Sequence, residues 1–396
     1  MIETNTVIQN KKEKAAALLL AGIPGIGSKI ALRMVECAGN AEAVLAMPQR
    51  EVNALLGSAL AKRFIKEREE KSASRELEVL QNKGMDFIPF TIKEYPERLR
   101  HIPDPPFGLY VKGGLPKEGS PTVAIVGARA CSEYGKKVAY TFGKTLGAYG
   151  VQVISGMARG IDGIAQRGAL DGGGETYAVL GCGADCCYPP ENESLYHEII
   201  CKGGVLSEYA PGTQPQNRLF PARNRIISGL ADIIVVVEAR KRSGTYITVM
   251  QALEQNREVY AVPGRVTDAL SDGCNYLLSQ GAGVAVSPEL ILGELEGGHY
   301  LNWSLKGDRE NTERAVSDNI SRTEAESRES VANDGSMETI ILSCLDITPL
   351  DIESIYSKVC AKRAISIQEC IVILTKMQIL GKVENSGNYY RLSGAL

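Results

Sequence analysis

Between residues 121 and 295 the sequence repeats one pattern: a short apolar run, a turn that contains glycine, and a helical stretch. The apolar runs predict buried strands at residues 122–126, 151–154, 175–180, 205–206, 233–237, 259–262 and 284–286. Apolar residues at helical spacing lie between most of them, at residues 136–149, 162–170, 223–230 and 245–256. Apolar strands that alternate with helices form parallel sheets that are covered on both faces. The predicted fold class is therefore α/β, with a doubly wound, largely parallel sheet.

Helical patterns also precede this region. Residues 14–37 place two apolar helical patterns on either side of the IPGIG run at residues 23–27. Glycines allow a tight turn there, and the amides at the next helix start can hold a phosphate. The segment resembles a helix-hairpin-helix motif, which binds the DNA backbone without reading sequence. A helical hairpin that only packs against the chain is the alternative, and both remain open.

The rest of the chain divides by composition. A polar helix is predicted at residues 61–82 and a strand at residues 85–90, and the proline-rich residues 95–113 predict an extended connector. Near the C-terminus, three helical patterns and a strand–turn–strand hairpin are typical of a winged-helix module. The helix that would enter the major groove in such a module, residues 366–380, carries only Lys376 as a cation. This favours partner binding or weak duplex contact over sequence-specific base recognition. The predicted domains are a helical one at residues 1–82, the α/β one at 83–295, a flexible polar linker at 296–336 and a winged-helix-like one at 337–396.

Composition limits the possible functions. The formal net charge of −3 gives no general attraction to nucleic acid, so any such binding needs a local cationic patch. The longest apolar runs are too short to span a bilayer, and no signal peptide is visible at the N-terminus. Ten cysteines in a chain of 396 residues fit reduced thiols better than a disulfide framework. We therefore expect a cytoplasmic protein with no membrane span.

The predicted strand exits supply the patch that the net charge requires. Ligands of parallel α/β sheets bind beyond the carboxyl ends of the strands. The turns that emerge there contain Gly127-Ala128-Arg129, Ser155–Asp162, Gly181–Asp185, Ser207–Phe220, and Glu238 with Arg240–Gly244. Glycine turns and converging arginines suit phosphate oxygens.

The segment at residues 218–230 is the most informative. Arg218, Arg223 and Arg225 surround Phe220 at the start of a short apolar helix. Lone buried charges are costly, so we expect these guanidinium groups to face an anionic partner. An aromatic ring beside arginines is the chemistry of single-stranded nucleic-acid binding. A loop of surface arginines is the alternative reading of these residues taken alone.

Standard cofactor and catalytic motifs are missing from the sequence. The turn after the first strand of the α/β region reads GARACSEYG, which matches neither G-x-G-x-x-G nor a Walker A motif. Three histidines and no G-x-S-x-G elbow leave little for acid–base or nucleophilic catalysis. Cys182, Cys186, Cys187, His197 and Cys201 lack the paired C-x-x-C spacing of zinc sites. We expect no catalytic residue, no metal and no cofactor.

Several motifs occur in an order that carries a family resemblance. They are VAIVGAR at 123–129, SGMARGID at 155–162, FPARNRIISGL at 220–230, VVVEA with SGT at 235–245, AVPG at 261–264 and SDGCNYLLSQGA at 271–282. In this order they resemble the DNA-processing protein A family (DprA/Smf) over residues 85–295. The resemblance implies an extended Rossmann-like fold that binds single-stranded DNA, is typically a homodimer, and protects incoming DNA during natural transformation while loading a RecA-type recombinase. Many family members also carry a winged-helix module.

The resemblance also assigns the site. It implies pocket roles for Gly127, Arg129 and Phe220, and Arg218 stands near the position where some relatives have lysine. The predicted DNA-binding residues are Gly127, Ala128, Arg129, Ser155, Gly156, Arg159, Arg218, Phe220, Arg223 and Arg225. A nucleotide-processing enzyme of the phosphoribohydrolase type is the alternative, although Thr248 and Val249 stand where such enzymes need an acid. A transcription factor built on the C-terminal module is a third, weaker possibility.

Overall fold

The computed structural model describes residues 2–297, 337–345, 350–363, 365–380, 382–386 and 389–392. The chain forms two compact units, Met1–Leu305 and Lys306–Leu396. Within the described residues no helix combines the length and apolarity that crossing a bilayer requires. The predicted linker lies almost wholly outside the described residues, and the predicted domain boundaries remain predictions.

The first unit begins with helices whose apolar faces form one core. They are α1 (Ile2–Ala21), α2 (Ser28–Ala38), α3 (Ala41–Ala46), α4 (Gln49–Glu70) and α5 (Ala73–Asn82). The turn between α1 and α2 contains Gly25 with φ 97°, a backbone conformation that favours glycine. α4 is broken at Gly57, which has φ 74°. The polar helix predicted at residues 61–82 is thus two helices, separated at residues 71–72.

A sheet of nine strands follows, in the order β1-β2-β6-β5-β4-β3-β7-β8-β9. The strands are β1 (Asp86–Pro89), β2 (Gly108–Gly113), β3 (Thr122–Val126), β4 (Gln152–Ser155), β5 (Thr176–Val179), β6 (Gly204–Ser207), β7 (Ile233–Val236), β8 (Glu258–Ala261) and β9 (Gly283–Val284). Strands β3 to β9 pair in parallel, and β1 and β2 are antiparallel additions at one edge. The prediction of a mixed α/β chain with a large, mostly parallel sheet is confirmed.

The connector predicted at residues 95–113 is a partial error. It contains the short helix α6 (Glu97–Arg100) and the whole of β2. The last proline of this segment is Pro106, so the prolines do not prevent the strand that begins two residues later. β2 pairs antiparallel with β1 and with β6, where Tyr110 lies opposite Ser207. The pairing with β6 is distant in the chain and leaves no local signal.

Helices cover both faces of the sheet. They are α7 (Glu133–Ala148), α8 (Ile161–Asp171), α9 (Glu193–Lys202), α10 (Leu219–Leu230), α11 (Gly244–Glu254), α12 (Asp272–Ser279) and α13 (Pro288–Gly297). Side chains of β3 alternate between the two cores, as the pleat requires. Val123 and Ile125 pack in the core that contains residues of α7 and α8, whereas Ala124 and Val126 pack in the core that contains residues of α10 and α11. Strand order reverses between β3 and β7, which places a crevice at their carboxyl ends.

The second unit contains α14 (Met337–Leu342), β10 (Leu350–Asp351), α15 (Ile352–Cys360), α16 (Ile367–Ile379), β11 (Val383–Ser386) and β12 (Tyr389–Leu392). The strands form a small antiparallel sheet in the order β10-β12-β11. α16 starts with a capping box in which Ser366 and Glu369 satisfy each other's backbone amides. Buried Ile355, Val359 and Leu374 belong to a core of its own.

Candidate functional site

An open cleft of about 460 Å³ lies where the strand order reverses. Its walls come from the ends of β3 and β4, the first turns of α8 and α10, and the first turns of α11. The cleft is lined by Val126, Gly127, Ala128, Arg129, Ala158, Asp162, Asn217, Phe220, Pro221, Arg223, Asn224, Ile227, Ser243, Gly244, Thr245, Ile247 and Thr248. Five of the predicted site residues are among them, namely Gly127, Ala128, Arg129, Phe220 and Arg223.

Arg129 is the exposed cation of this cleft. The turn that carries it is held by two backbone hydrogen bonds. Ala128 N donates to the Glu238 carbonyl at 2.7 Å, and Ile161 N donates to the Ala128 carbonyl at 3.2 Å. Because its amide is used in this way, Ala128 positions Arg129 and does not itself offer an N–H to a ligand. The Arg129 side chain remains exposed, with its guanidinium carbon 5.2 Å from the ring centroid of Phe220.

Phe220 lies in the first turn of α10 and is half-buried. The Tyr188 ring packs beside it, with 5.6 Å between the ring centroids. Gly181, two residues after the end of β5, makes room for the ring, since a Cβ there would lie 2.7 Å from Phe220 Cδ1. The glycine after β5 therefore serves close packing against an aromatic ring, whereas the sequence pattern suggested phosphate binding.

Arg223 lines the floor of the cleft but is only 4% exposed. Its Nη1 donates to the carbonyls of Gly156 and Val179. Gly156 permits this approach, because a Cβ there would lie 2.6 Å from the guanidinium nitrogens. Burial lowers the pKa of Arg223 to about 10, partly offset by the neighbouring Asp162 carboxylate, so the guanidinium stays charged at neutral pH.

Asp162 is a buried carboxyl group that is not among the predicted site residues. It lies in the first turn of α8 and accepts a hydrogen bond from Gly156 N at 3.2 Å. Burial raises the pKa of Asp162, and the charges of Arg223 and Arg129 oppose that rise. Its charge compensates that of Arg223, which is why this arginine can occupy a buried position.

Arg225 does not face the cleft. It is 8% exposed, and its guanidinium binds both oxygens of the Glu208 carboxylate at 2.9 and 2.7 Å. Asp104 supplies a second carboxylate at 3.2 Å. The expectation that the Arg225 guanidinium faces an external anionic partner is wrong, because Glu208 and Asp104 of the same chain compensate its charge. The sequence pattern around Arg225 does not show that these carboxylates lie beside it. We therefore leave Arg225 out of the proposed binding surface.

The other predicted site residues are not brought into the cleft lining. Ser155 is fully buried and donates its hydroxyl hydrogen to the Ile125 carbonyl. Arg159 forms an exposed ion pair with Glu191 at 2.6 Å. Arg218 is exposed just before α10, where its Nε donates to Gln216 Oε1. Gly156 acts through the close approach of Arg223.

Sequence analysis missed the wall formed by α11. Ser243, Gly244, Thr245 and Thr248 line the same cleft as the predicted residues. A sequence signal for this wall exists, because the turn after the strand at residues 233–237 is basic and contains glycine. Its residues are nevertheless not among the predicted DNA-binding residues. Asn217 and Asn224, which flank Phe220, also line it.

The helix-hairpin-helix segment is partly engaged by the rest of the first unit. Ser28, the first residue of α2, donates its hydroxyl hydrogen to Glu208 at 2.7 Å and accepts from Phe107 N at 3.0 Å. Lys29 lies 3.7 Å from Asp104. These contacts favour the packing alternative at this helix start.

No cluster of three or more potential metal ligands occurs among the described residues. All ten cysteines are free thiols. Burial raises the pKa of Cys182 to about 12, so this thiol is protonated at neutral pH.

Fold and cleft together define a mixed α/β protein with a large, mostly parallel sheet and a cationic, aromatic-lined cleft at the point of strand reversal. The family model described as DNA recombination-mediator protein A matches residues 86–296, and the chain belongs to this family. It is 44% identical over 219 residues to the DNA processing protein DprA of Streptococcus pneumoniae, covering 55% of this chain and 77% of that protein. It is 35% identical over 290 residues to Protein Smf of Synechocystis, covering 72% and 73%. The X-ray structure of the Streptococcus pneumoniae protein superposes with a TM-score of 0.62 at 35% identity, covering 70% of this chain and 95% of that one.

Proposed function

We propose that this chain is a non-catalytic mediator of DNA recombination that binds single-stranded DNA in the cleft. The observation that carries the proposal is the exposed guanidinium of Arg129 held over Phe220 at the carboxyl ends of the parallel strands. Arginine contacts phosphates and stacks on bases, and aromatic faces stack on any base. A paired duplex hides its base faces, so this arrangement favours an unpaired strand.

The ring of Phe220 is already flanked by Arg129 and by Tyr188. A base therefore either stacks on the outer face of the Arg129 guanidinium or displaces the guanidinium and stacks directly on the Phe220 ring. In both arrangements the arginine stays within reach of the adjacent phosphate. Arg223 lies on the floor of the cleft and keeps its contacts with the backbone carbonyls of Gly156 and Val179, while Asp162 compensates its charge.

Membership of the family supports the wider role. We propose that the chain protects incoming single strands during natural transformation and loads a RecA-type recombinase on them. A homodimer would present two clefts to one strand. The free thiols fit action in the cytoplasm.

We propose that the second unit is a winged-helix-like module that contacts a partner protein. Its α16 exposes Ile367, Ile371 and Val372, and its Lys376 is paired with Glu338 at 2.6 Å. A helix that reads the major groove needs free cations, whereas an apolar exposed face suits protein contact.

The test is a competition experiment with the full chain. A fluorescent single-stranded oligonucleotide is displaced by unlabelled single strand or by duplex of equal length and composition. We expect single strand to compete at a much lower concentration. Equal competition by both would contradict the proposal. The phosphoribohydrolase alternative predicts release of free base from nucleoside monophosphates, which we expect to be absent.

A further inference from the structure

We propose that the start of α11 is a second phosphate-binding subsite, on a wall of the cleft whose residues are not among the predicted DNA-binding residues. The inference rests on the proposed function and adds a location to it. It places a phosphate of the bound strand at residues 243–245, while Arg129 and Phe220 hold the neighbouring nucleotide. The cleft contains both groups of residues, so a single strand that crosses it meets both.

No side chain among the described residues accepts a hydrogen bond from the first amides of α11. Ser243 is the residue before the helix and makes no capping hydrogen bond with it. No acidic residue occupies the first turn, which would otherwise satisfy those N–H groups. Free amides at a helix start carry partial positive charge and bind anions.

A buried hydroxyl group without a partner gives a second, independent indication of a ligand, and a threonine further along the helix lines the same cleft. The Oγ atom of Ser243 is shielded from solvent and has no hydrogen-bond partner among the described residues. Thr248 lines the cleft one turn into α11, is 2% exposed, and its hydroxyl makes no hydrogen bond within the described part of the chain. A buried hydroxyl without a partner, as in Ser243, is unfavourable unless a ligand completes its hydrogen bonding.

The charges around this wall favour an anion. Arg240, Lys241 and Arg242 precede the helix and are exposed. The carboxylate that shares the cleft is Asp162, whose charge is offset by Arg223. A phosphate oxygen at the helix start would accept from the amides and from the hydroxyls, which matches the donors that this wall presents.

Gly244 allows an experiment that removes one backbone donor while preserving the helix. It is the first residue of α11, where proline is tolerated, and Ser243 before it is extended with φ −133° and ψ 165°, as a residue preceding proline should be. A Cβ at Gly244 meets nothing within 4 Å. Gly244→Pro therefore deletes an N–H, and Gly244→Ala is its matched control.

The probe is the thymidine trinucleotide dTpTpT, together with versions that carry a neutral methylphosphonate at the first or the second linkage. We expect Gly244→Pro to bind dTpTpT about tenfold more weakly than Gly244→Ala, as for a lost hydrogen bond to a charged group. This difference in affinity between the two variants should vanish for one of the two methylphosphonate probes. Equal binding by the two variants, or a gap that persists with both neutral linkages, overturns the subsite.

Two further variants keep the outcome decisive. Thr248→Val removes a hydroxyl at nearly constant volume, and we expect about threefold weaker binding of dTpTpT; unchanged or tighter binding counts against the subsite.

If Arg129→Ala weakens binding while Gly244→Pro does not, the subsite fails and the proposed function stands. If neither weakens binding, both fail. Thymidine 5′-monophosphate distinguishes the phosphate source, because only a site for terminal monoesters binds it with the same Pro/Ala gap.

Discussion

The guanidinium of Arg129 lies over the ring of Phe220, with 5.2 Å between its central carbon and the ring centroid. The two residues follow different strands, β3 and β6, and meet because parallel strands end at one edge of the sheet. A cation and an aromatic face are thereby presented together at the mouth of the cleft. The cation should contribute a salt-dependent part of the DNA affinity and the aromatic ring a salt-independent part, so substitutions can separate the two contributions.

Arg129→Ala should weaken binding of single-stranded DNA and reduce its salt dependence. Loss of one phosphate contact lowers the slope of log K against log salt by about 0.7 for a single strand. Fluorescence anisotropy at several salt concentrations measures this slope. Arg167→Ala is the control, because Arg167 is paired with Glu198 on α9, outside the cleft lining. An unchanged slope in Arg129→Ala would remove this residue from the binding surface.

Phe220→Leu should weaken binding by about 1–3 kcal/mol while leaving the salt slope unchanged, since stacking releases few counterions. Leucine keeps most of the apolar volume beside Gly181, so the fold should persist. The same anisotropy series measures the effect, and circular dichroism checks folding. Wild-type affinity in a folded variant would show that Phe220 serves packing alone.

Arg225→Met should destabilise the protein without a direct effect on the cleft. Glu208 would keep a largely buried charge without its cation, and breaking a buried pair in this way costs about 3–5 kcal/mol. Urea unfolding measures the loss. Lys66→Met is the matched control, because its pair with Glu70 is exposed and contributes at most about 0.5 kcal/mol. Equal losses in both variants would contradict the assignment of Arg225 as a structural residue.

The buried carboxyl of Asp162 should make stability depend on pH. Burial raises the pKa of Asp162, so the folded state holds this proton more tightly than the unfolded chain does. The contribution of this group to folding therefore falls as pH rises above the ordinary aspartate value of about 3.9. Asp162→Asn is the matched control, because its amide does not titrate and its stability should lack this pH dependence.

The measurement is the unfolding free energy of both proteins across acidic to neutral pH. We expect the advantage of the wild-type protein over Asp162→Asn to shrink as pH rises. An advantage that grows with pH would mean that the attraction of Arg223 and Arg129 outweighs burial. That result would reverse the direction assigned to the pKa.

Much of the sheet could be predicted from local pattern, and β3 occupies the very residues expected, Thr122–Val126. β2 could not, because its pairing with β1 and β6 is antiparallel and joins distant segments. The sequence correctly predicted glycine turns after the strands, but it explained them by phosphate binding alone. Gly156 and Gly181 make room for Arg223 and Phe220, and that need exists only once the strands are neighbours.

The amino-acid sequence alone determined the alternation of strands and helices, and with it the edge at which polar turns collect. That follows because periodicity and glycine placement are local properties of a chain. Only the tertiary structure decided which arginine reaches a ligand. Arg129, Arg223 and Arg225 look equivalent in sequence, yet Asp162, Glu208 and Asp104 neutralise two of them through contacts between distant residues. Burial makes such pairing necessary, since a lone charge inside the protein is too costly to keep, and the remaining arginine stays at the surface of the cleft.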